Sequence, residues 1–159
     1  LLGGAQNKPL EAWRVVLGQQ SVAEFTALYR FNNFSPQREQ KLAERLATLA
    51  PAQERVFSFS FSPAALVLAG RSSASRYFFS YPLLQGSEAH KAAVEAAVLA
   101  DLAQHSPRVI FIDDMDQSEL NRHSSLWHFQ RMPALKAYVE GGYRLEEQGE
   151  SYRLYVPRR

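Results

Sequence analysis

Four consecutive apolar residues within the segment 108–112 (RVIFI) constrain the fold of this chain more than any other feature. A run without polar residues is typical of a strand buried on both faces, since a strand with one wet face alternates apolar and polar residues. Three carboxylates, Asp113, Asp114 and Asp116, follow the run directly. A sheet covered on both faces needs a helix layer on each side, so the run predicts an α/β fold.

Other segments also have the composition of strands. Residues 55–61 (RVFSFSF) alternate with a period of two and are rich in aromatic residues, which favours a first strand. Residues 75–81 (SRYFFSY) predict a second strand for the same compositional reason. Two terminal segments, 143–147 and 151–156, predict an antiparallel hairpin.

Capping signals place helices between these strands. A serine followed by proline, a combination favoured at helix starts, occurs at Ser35-Pro36 and again at Ser62-Pro63. Ser21 and Glu24 fit a capping box, and Ser87 caps the longest predicted helix. The predicted helices are a stretch ending at Gly18, residues 22–30, a segment from Pro36 to before Pro51, residues 64–69, residues 88–104, and a segment from Pro133 to Gly141.

The alternation of strands and helices predicts a three-layer α/β/α sandwich with a largely parallel sheet and a C-terminal antiparallel hairpin. We expect a single domain over residues 1–159, with a helical lead-in over 1–50 and the sheet core over 51–159. The 159 residues, of which 46% are hydrophobic, suffice for one core but not for two.

The start of the chain predicts a fragment of a longer protein. The first residue is Leu1 rather than methionine, and the first four residues lack the basic start and apolar stretch of a signal peptide. Apolar runs such as residues 64–69 are far shorter than the roughly 18 residues that span a bilayer. We therefore expect this part of the protein to be soluble.

Charge and cysteine content exclude several classes of function. The chain has 18 Lys and Arg residues and 16 Asp and Glu residues, for a formal net charge of +2. Nucleic-acid binding requires a cluster of cationic residues, and the sequence has none. The chain contains no cysteine, which excludes disulfides, thiolate metal sites and cysteine nucleophiles. The glycine patterns of dinucleotide sites and of serine hydrolases do not occur.

The acidic loop after the buried strand is one candidate for chemistry, because ligands in α/β sheets lie at the carboxyl ends of strands. Asp113, Asp114 and Asp116 could hold a divalent cation that neutralises phosphate charge during transfer. The structural alternative is that these acids end the strand and that one of them caps the next segment. The short motif favours the structural alternative.

A second candidate is the small-residue loop 70–76, which carries Arg71 and Arg76. Two guanidinium groups can grip a phosphate or carboxylate, and the alternative is that both arginines pair with surface acids or helix carbonyls. The neighbouring aromatic residues, from Tyr77 to Tyr81, could stack on sugars or on bases, although core and rim positions are the more common use of such residues. The histidines lack metal-ligand spacing; they are His90, His105, His123 and His128.

The segment 55–83 also resembles a known family of proteins. It combines a strand, the Ser62-Pro63 step, a short helix, Gly70-Arg71, the sequence ASRY at 74–77 and the sequence YPL at 81–83. These features resemble the segment that follows the membrane helices of bacterial polyprenyl-phosphate-sugar-dependent membrane glycosyltransferases, relatives of the dolichyl-phosphate-mannose protein mannosyltransferases. The aromatic segment 25–34 and the ending at 138–155 are similar too.

The resemblance implies a soluble C-terminal domain on the extracytoplasmic, periplasmic side of the bacterial inner membrane, after many transmembrane helices. The catalytic carboxylate of such enzymes is expected in an early loop outside this chain, so no catalytic residue is assigned here and the isolated chain should be inactive. The implied partners are the transmembrane part of the same polypeptide, a polyprenyl-phosphate sugar and an acceptor, without nucleic acid. No cofactor is expected in this fragment, although the full-length enzyme could use a divalent metal.

The strand-end rule and the resemblance together single out five candidate ligand-binding residues: Arg71, Ser75, Arg76, Tyr77 and Tyr81. On this hypothesis the domain positions the acceptor or shields the lipid-linked donor. The alternative is a stand-alone metal-dependent enzyme for sugar or phosphoryl transfer that uses Asp113, Asp114 and Asp116. Hydrophobic segments encoded upstream of Leu1 would distinguish the two hypotheses.

Overall fold

A computed structural model describes residues 14–21, 24, 35–118 and 121–158 of the chain. The helix expected over 22–30 lies outside the described residues apart from Glu24, which forms the expected capping box with Ser21. The helices and strands are α1 (Pro36–Leu49), β1 (Arg55–Phe59), α2 (Ala64–Leu68), β2 (Ser72–Ser73), α3 (Tyr81–Leu84), α4 (Glu88–His105), β3 (Val109–Asp113), α5 (Ser125–Phe129), α6 (Pro133–Gly142), β4 (Tyr143–Gln148) and β5 (Tyr152–Pro157).

The strands form one mixed sheet of five strands in the order β2-β1-β3-β5-β4. The strands β2, β1 and β3 run parallel, whereas β5 runs antiparallel to both β3 and β4. The mixed α/β fold, its parallel centre and the C-terminal antiparallel hairpin are therefore confirmed. At the hairpin turn, a Cβ on Gly149 would lie 2.7 Å from the Tyr152 ring, so only glycine fits without a shift.

The side chains of the central strands divide between two hydrophobic clusters. Phe57 and Ile110 contribute to the cluster that includes residues of α4, α5 and α6. Val56 and Phe111 contribute to the cluster that includes residues of α1 and α2. This alternation explains the apolar run of β3, in which all five residues are buried.

Four helices, α1, α2, α4 and α6, begin where the sequence signals place them, whereas α3 and α5 were not predicted. The side chain of Ser87 accepts a hydrogen bond from the backbone N–H of His90 at the start of α4, and α1 begins at Pro36. The left-handed backbone of Gly70, with a φ of +62°, follows the end of α2 as expected. Among the described residues, no helix is both long enough and apolar enough to cross a bilayer.

The second strand predicted over 75–81 is wrong. Between α2 and α3, only Ser72 and Ser73 form a strand that pairs with β1. The chain then continues in bends up to the short helix α3. The hydroxyl of Ser73 accepts the N–H of Ser75, and the hydroxyl of Ser75 accepts the N–H of Tyr77. These local bonds use backbone groups that a β-ladder would need, which explains why the aromatic segment is not a strand.

Candidate functional site

The carboxylate of Asp113 lies at the carboxyl end of β3 and is the centre of a polar network. Its side chain is 1% exposed and accepts three hydrogen bonds. The donors are Arg38 Nη2 at 2.5 Å, the backbone N–H of Met115 at 2.9 Å and the hydroxyl of Ser60 at 3.3 Å. The strand end, the loop after it and the end of β1 are thereby joined.

Arg38 extends the network to the start of β5 and within α1. Its Nη1 donates to Glu39 Oε1 over 2.9 Å, and its Nε donates to the Ser151 hydroxyl over 2.8 Å. Glu39 is itself buried and accepts the N–H of Ala65, in the first turn of α2, at 3.1 Å. One guanidinium group therefore pairs with two buried carboxylates and fixes α1 against the sheet.

Asp116 has a different set of donors. Its oxygens accept the N–H of Phe61 at 2.8 Å, and both the N–H and the hydroxyl of Ser125 at 2.7 Å. Asp114 accepts the hydroxyl of Ser124 at 3.2 Å. Asp116 thus fixes the start of α5 next to the end of β1, which is the capping role that the structural alternative predicts.

Burial changes the titration of these acids. Burial, together with the nearby charge of Asp116, raises the pKa of Asp113 to about 6, although Arg38 opposes this shift. Burial also raises the pKa of Glu39 and that of Asp116. Asp113 and Glu39 are buried and share one guanidinium group, and the half-buried Asp116 lies nearby, so uptake of a proton by Asp113 relieves the excess negative charge of the network.

The three aspartates of the acidic loop do not surround a common point. Asp113 pairs with Arg38, while Asp116 accepts bonds from Ser125 and Phe61. No group of three His, Asp or Glu side chains within the described ranges could hold a metal ion. In this arrangement the donor set does not fit a divalent cation, which needs several oxygens directed at one position. The metal-dependent alternative stays a prediction.

Arg71 makes contacts at the opposite edge of the sheet from Asp113. Its guanidinium donates to the carbonyls of Ala50 at 2.7 Å, Ala69 at 2.8 Å and Ala47 at 3.2 Å. Ser72 of β2 pairs with Arg55 at the start of β1, so Arg71 lies at the amino edge of the parallel strands. The expected position of Arg71 at the carboxyl edge is wrong, because β2 begins at the next residue, Ser72, and Arg71 therefore precedes a parallel strand.

Arg76 forms a bidentate ion pair with Asp101 on α4. The Nη2–Oδ1 distance is 2.7 Å and the Nε–Oδ2 distance is 3.0 Å. The same carboxylate accepts the N–H of Arg76 and the hydroxyl of Ser75, and the Arg76 pair lowers the pKa of Asp101 to about 2. Tyr77 packs against the core cluster. The structure thus engages these side chains within the protein.

Tyr81, the fifth candidate ligand-binding residue, lies instead at the carboxyl edge of β1. Its ring centroid is 4.7 Å from that of Phe61, which follows the end of β1. It belongs to a chain of neighbouring rings that we call the aromatic edge. The members of the aromatic edge are Phe61, Phe78, Phe79, Tyr81, His123, Trp127 and His128.

Within the aromatic edge, three flat groups form a stack. The imidazole of His123 lies parallel to the indole of Trp127, at 3.8 Å between centroids and 6° between planes. The guanidinium carbon of Arg131 lies 3.5 Å from the centroid of the Trp127 ring. Burial lowers the pKa of the adjacent His128, and the charges of His123 and Arg131 lower it further.

Sequence reasoning did not identify the aromatic edge as one surface. Its rings come from the loop after β1, the bends before α3, the first residue of α3 and the region around α5. The aromatic composition of 77–81 was a signal, but nothing local connects it to Trp127. The serine cap that orients α5, formed by the Ser124 hydroxyl with the Trp127 N–H, was a second available signal.

A cavity of about 590 Å³ lies beside Arg38 at the same carboxyl edge. Its lining includes Lys41, Ser151 and Tyr152. The Tyr152 hydroxyl donates a 2.6 Å hydrogen bond to Glu147, which fixes the Tyr152 side chain at the edge of the cavity.

The chain matches no protein-family model, no curated protein sequence and no solved structure.

Proposed function

We propose that this chain is a non-catalytic soluble domain of a membrane glycosyltransferase, which transfers a sugar from a polyprenyl-phosphate donor. In this proposal the domain lies at the periplasmic face of the bacterial inner membrane and assists binding of the acceptor. The catalytic carboxylate belongs to the transmembrane part of the same polypeptide. The distribution of helices between two hydrophobic clusters favours the three-layer form of the α/β fold as part of this proposal.

The observation that carries the proposal is the use of the charged side chains within the domain itself. Asp113 is paired with Arg38, Asp116 holds the start of α5, and Arg76 is paired with Asp101. A transfer enzyme needs such groups directed at its substrates. Here they hold loops and helices together, which is what a scaffold domain requires.

The resemblance supplies the second support. Its motifs extend from the aromatic segment 25–34 through 55–83 to the ending at 138–155, and so touch most of the chain. The implied partners follow from it: the membrane part of the same polypeptide, the lipid-linked sugar and an acceptor. No cofactor is assigned to this domain, because donor chemistry belongs to the membrane part in this proposal.

The proposal is tested by the gene and by the topology of its product. We expect several hydrophobic segments to be encoded upstream of Leu1. We also expect protease added to spheroplasts, whose outer membrane is opened, to digest this domain in the full-length protein while a cytoplasmic marker survives. An open reading frame without such segments, or protection of the domain until the inner membrane is lysed, would contradict the proposal.

A further inference from the structure

We propose that the aromatic edge is a binding surface for neutral carbohydrate, and that it holds sugar units of the acceptor. The acceptor assignment rests on the proposed function, whereas the carbohydrate assignment rests on the chemistry of the surface. The surface lies at the carboxyl end of β1, where ligands bind in open α/β sheets. Of the five candidate ligand-binding residues, Tyr81 alone belongs to the aromatic edge.

The rings of the aromatic edge are not core residues. Phe78 is 47% exposed and His123 is exposed, whereas Phe57 and Phe59, on the preceding strand, are buried. Exposed aromatic rings cost free energy unless they are covered by a ligand or a partner. Phe78 and His123 are the exposed rings of the aromatic edge and the other five are half-buried, so these two rings have surface that a ligand can cover.

The rings are continuous, which gives room for more than one sugar unit. The centroids of Phe78 and Phe79 are 4.9 Å apart, and Phe79 is 6.1 Å from Tyr81. Phe61 lies 4.7 Å from Tyr81 and 6.0 Å from His128, which leads on to the stack on Trp127. A pyranose ring presents a face of C–H groups that packs on an aromatic ring. The Trp127 ring is itself covered by His123 and Arg131, so the rings available to sugar units are the exposed ones, Phe78 and His123.

Polar atoms beside the rings are available to sugar hydroxyls. Among the described residues, neither the Tyr81 hydroxyl nor the ring nitrogens of His123 have a hydrogen-bond partner. Asn121 uses its Oδ1 toward His128 at 3.3 Å, which leaves its amide N–H groups as donors. Neutral donors and acceptors next to apolar rings match the alternation of C–H and O–H groups on a sugar.

Charge favours a neutral ligand over an anionic one. The guanidinium of Arg131 is occupied by the Trp127 ring and by the Trp127 carbonyl, to which Nη1 donates over 3.1 Å. Asp114 is partly exposed beside the cap of α5 and would repel a phosphate or an anionic lipid headgroup. Arg131 is thus engaged within the protein, and Arg122, exposed next to His123 in the chain, is one further cation at this end of the surface. One further cation is less than the cluster that anions require.

The test uses the tryptophan inside the surface as reporter. The chain has two tryptophans, so Trp13→Phe leaves Trp127 as its only indole. Fluorescence of this variant is titrated with maltohexaose, mannohexaose and chitohexaose, and with vesicles of phosphatidylglycerol. We expect a saturable change with at least one hexasaccharide, unaltered at about 1 M sodium chloride, where charges are screened beyond about 3 Å.

Variants locate the binding. In the Trp13→Phe background, Phe78→Ala and His123→Ala should each weaken binding by about tenfold, the loss of one stacking contact. Tyr81→Phe keeps the ring and should weaken it less. Leu145→Ala is the matched control, because Leu145 is 46% exposed on β4, far along the sheet order from β1. Unchanged melting curves verify that each variant folds.

The inference is overturned if no hexasaccharide gives a saturable change, if the ring variants bind as well as the Leu145→Ala control, or if only the vesicles bind. Binding by the isolated chain does not require transfer activity. Sugar binding by a protein that lacks transmembrane segments would overturn the proposed function alone, and a membrane-anchored protein whose domain binds no sugar would overturn this inference alone.

Discussion

The guanidinium of Arg38 and the carboxylate of Asp113 form an ion pair, with 2.5 Å between Nη2 and Oδ1 and 75 positions between them in the chain. Asp113 is 1% exposed at the end of β3, and Arg38 is 17% exposed in the first turn of α1. The pair therefore ties the helix that precedes the sheet to the strand at its centre. The pair also engages Asp113, the acid at the carboxyl end of β3 where ligands bind in open α/β sheets.

Removal of Arg38 should destabilise the domain strongly. Arg38→Ala leaves Asp113 and Glu39 buried without their cation, a change that costs about 3 kcal/mol of the free energy of unfolding at pH 7. The matched control is Arg45→Ala, whose pair with Glu147 is more exposed and should contribute less than about 1 kcal/mol. Urea denaturation measures both. Equal losses in the two variants would mean that the buried network is not a structural tie.

Stability should increase as the pH falls from 8 to 5. The pKa of Asp113 is raised to about 6 in the folded protein, above the value of about 3.9 for an unfolded aspartate. A raised folded-state pKa stabilises the fold at acid pH, and this contribution is lost as the pH rises through 6. The raised pKa values of Glu39 and Asp116 act in the same direction, whereas the lowered pKa of His128 acts in the opposite direction.

Asp113→Asn should remove most of this pH dependence, which we expect to be on the order of 2 kcal/mol between pH 8 and 5. Asp101→Asn is the control, because its pKa is lowered to about 2 and its contribution is lost only at more acid pH. Denaturation curves at several pH values measure the slope. The same dependence of stability on pH in Asp113→Asn and in the wild type would contradict the assignment.

Substitution of Arg71 should lower the free energy of unfolding more than substitution of Arg76, because the Arg71 side chain makes the less exposed contacts. Arg71→Ala frees three helix-end carbonyls, including that of the buried Ala50, and should cost about 2 kcal/mol. Arg76→Ala should cost less, because the Arg76 side chain is 62% exposed and Asp101 keeps its bonds from the backbone and from Ser75. Thermal melting compares them. Unchanged melting in Arg71→Ala, with lost transfer by the full-length protein, would restore a ligand-binding role.

The acidic loop should bind divalent cations only weakly. Asp113 and Asp116 already accept hydrogen bonds from protein donors, and a tight site would have to break them. We expect calorimetric titration with magnesium, manganese and calcium to give dissociation constants no tighter than about 1 mM. A micromolar constant that is lost in Asp114→Ala would favour the metal-dependent enzyme.

Capping residues and hydrophobic periodicity in the sequence predicted several helices and strands correctly. The apolar run of β3, the cap at Ser87 and the hairpin at 143–156 were each predictable within one or two residues, because capping and periodicity act over a few positions. The segment 75–81 has strand composition, but the hydroxyls of Ser73 and Ser75 hold its backbone in bends. Asp101 on the distant helix α4 accepts a further backbone N–H of this segment. Composition could not reveal that contact.

The candidate site was less predictable than the fold, since its pairs join distant parts of the chain. The acids at 113–116 were identifiable from the strand that precedes them, yet their partner Arg38 carries no local signal. The aromatic edge likewise needs the ends of β1 and α5 to be adjacent before Phe61 can meet His128. Sequence patterns identify candidate residues, and only the tertiary packing shows which of them are in contact.

The most direct test of the account is transfer of radiolabelled sugar from polyprenyl-phosphate donors, measured in parallel for the isolated chain and for membranes that contain the full-length protein. A matched membrane sample carries the protein with Phe78→Ala, and another carries the Leu145→Ala control. We predict no transfer by the isolated chain, transfer by the full-length protein, and reduced transfer in Phe78→Ala only. Turnover by the isolated chain above a no-protein control would contradict the account.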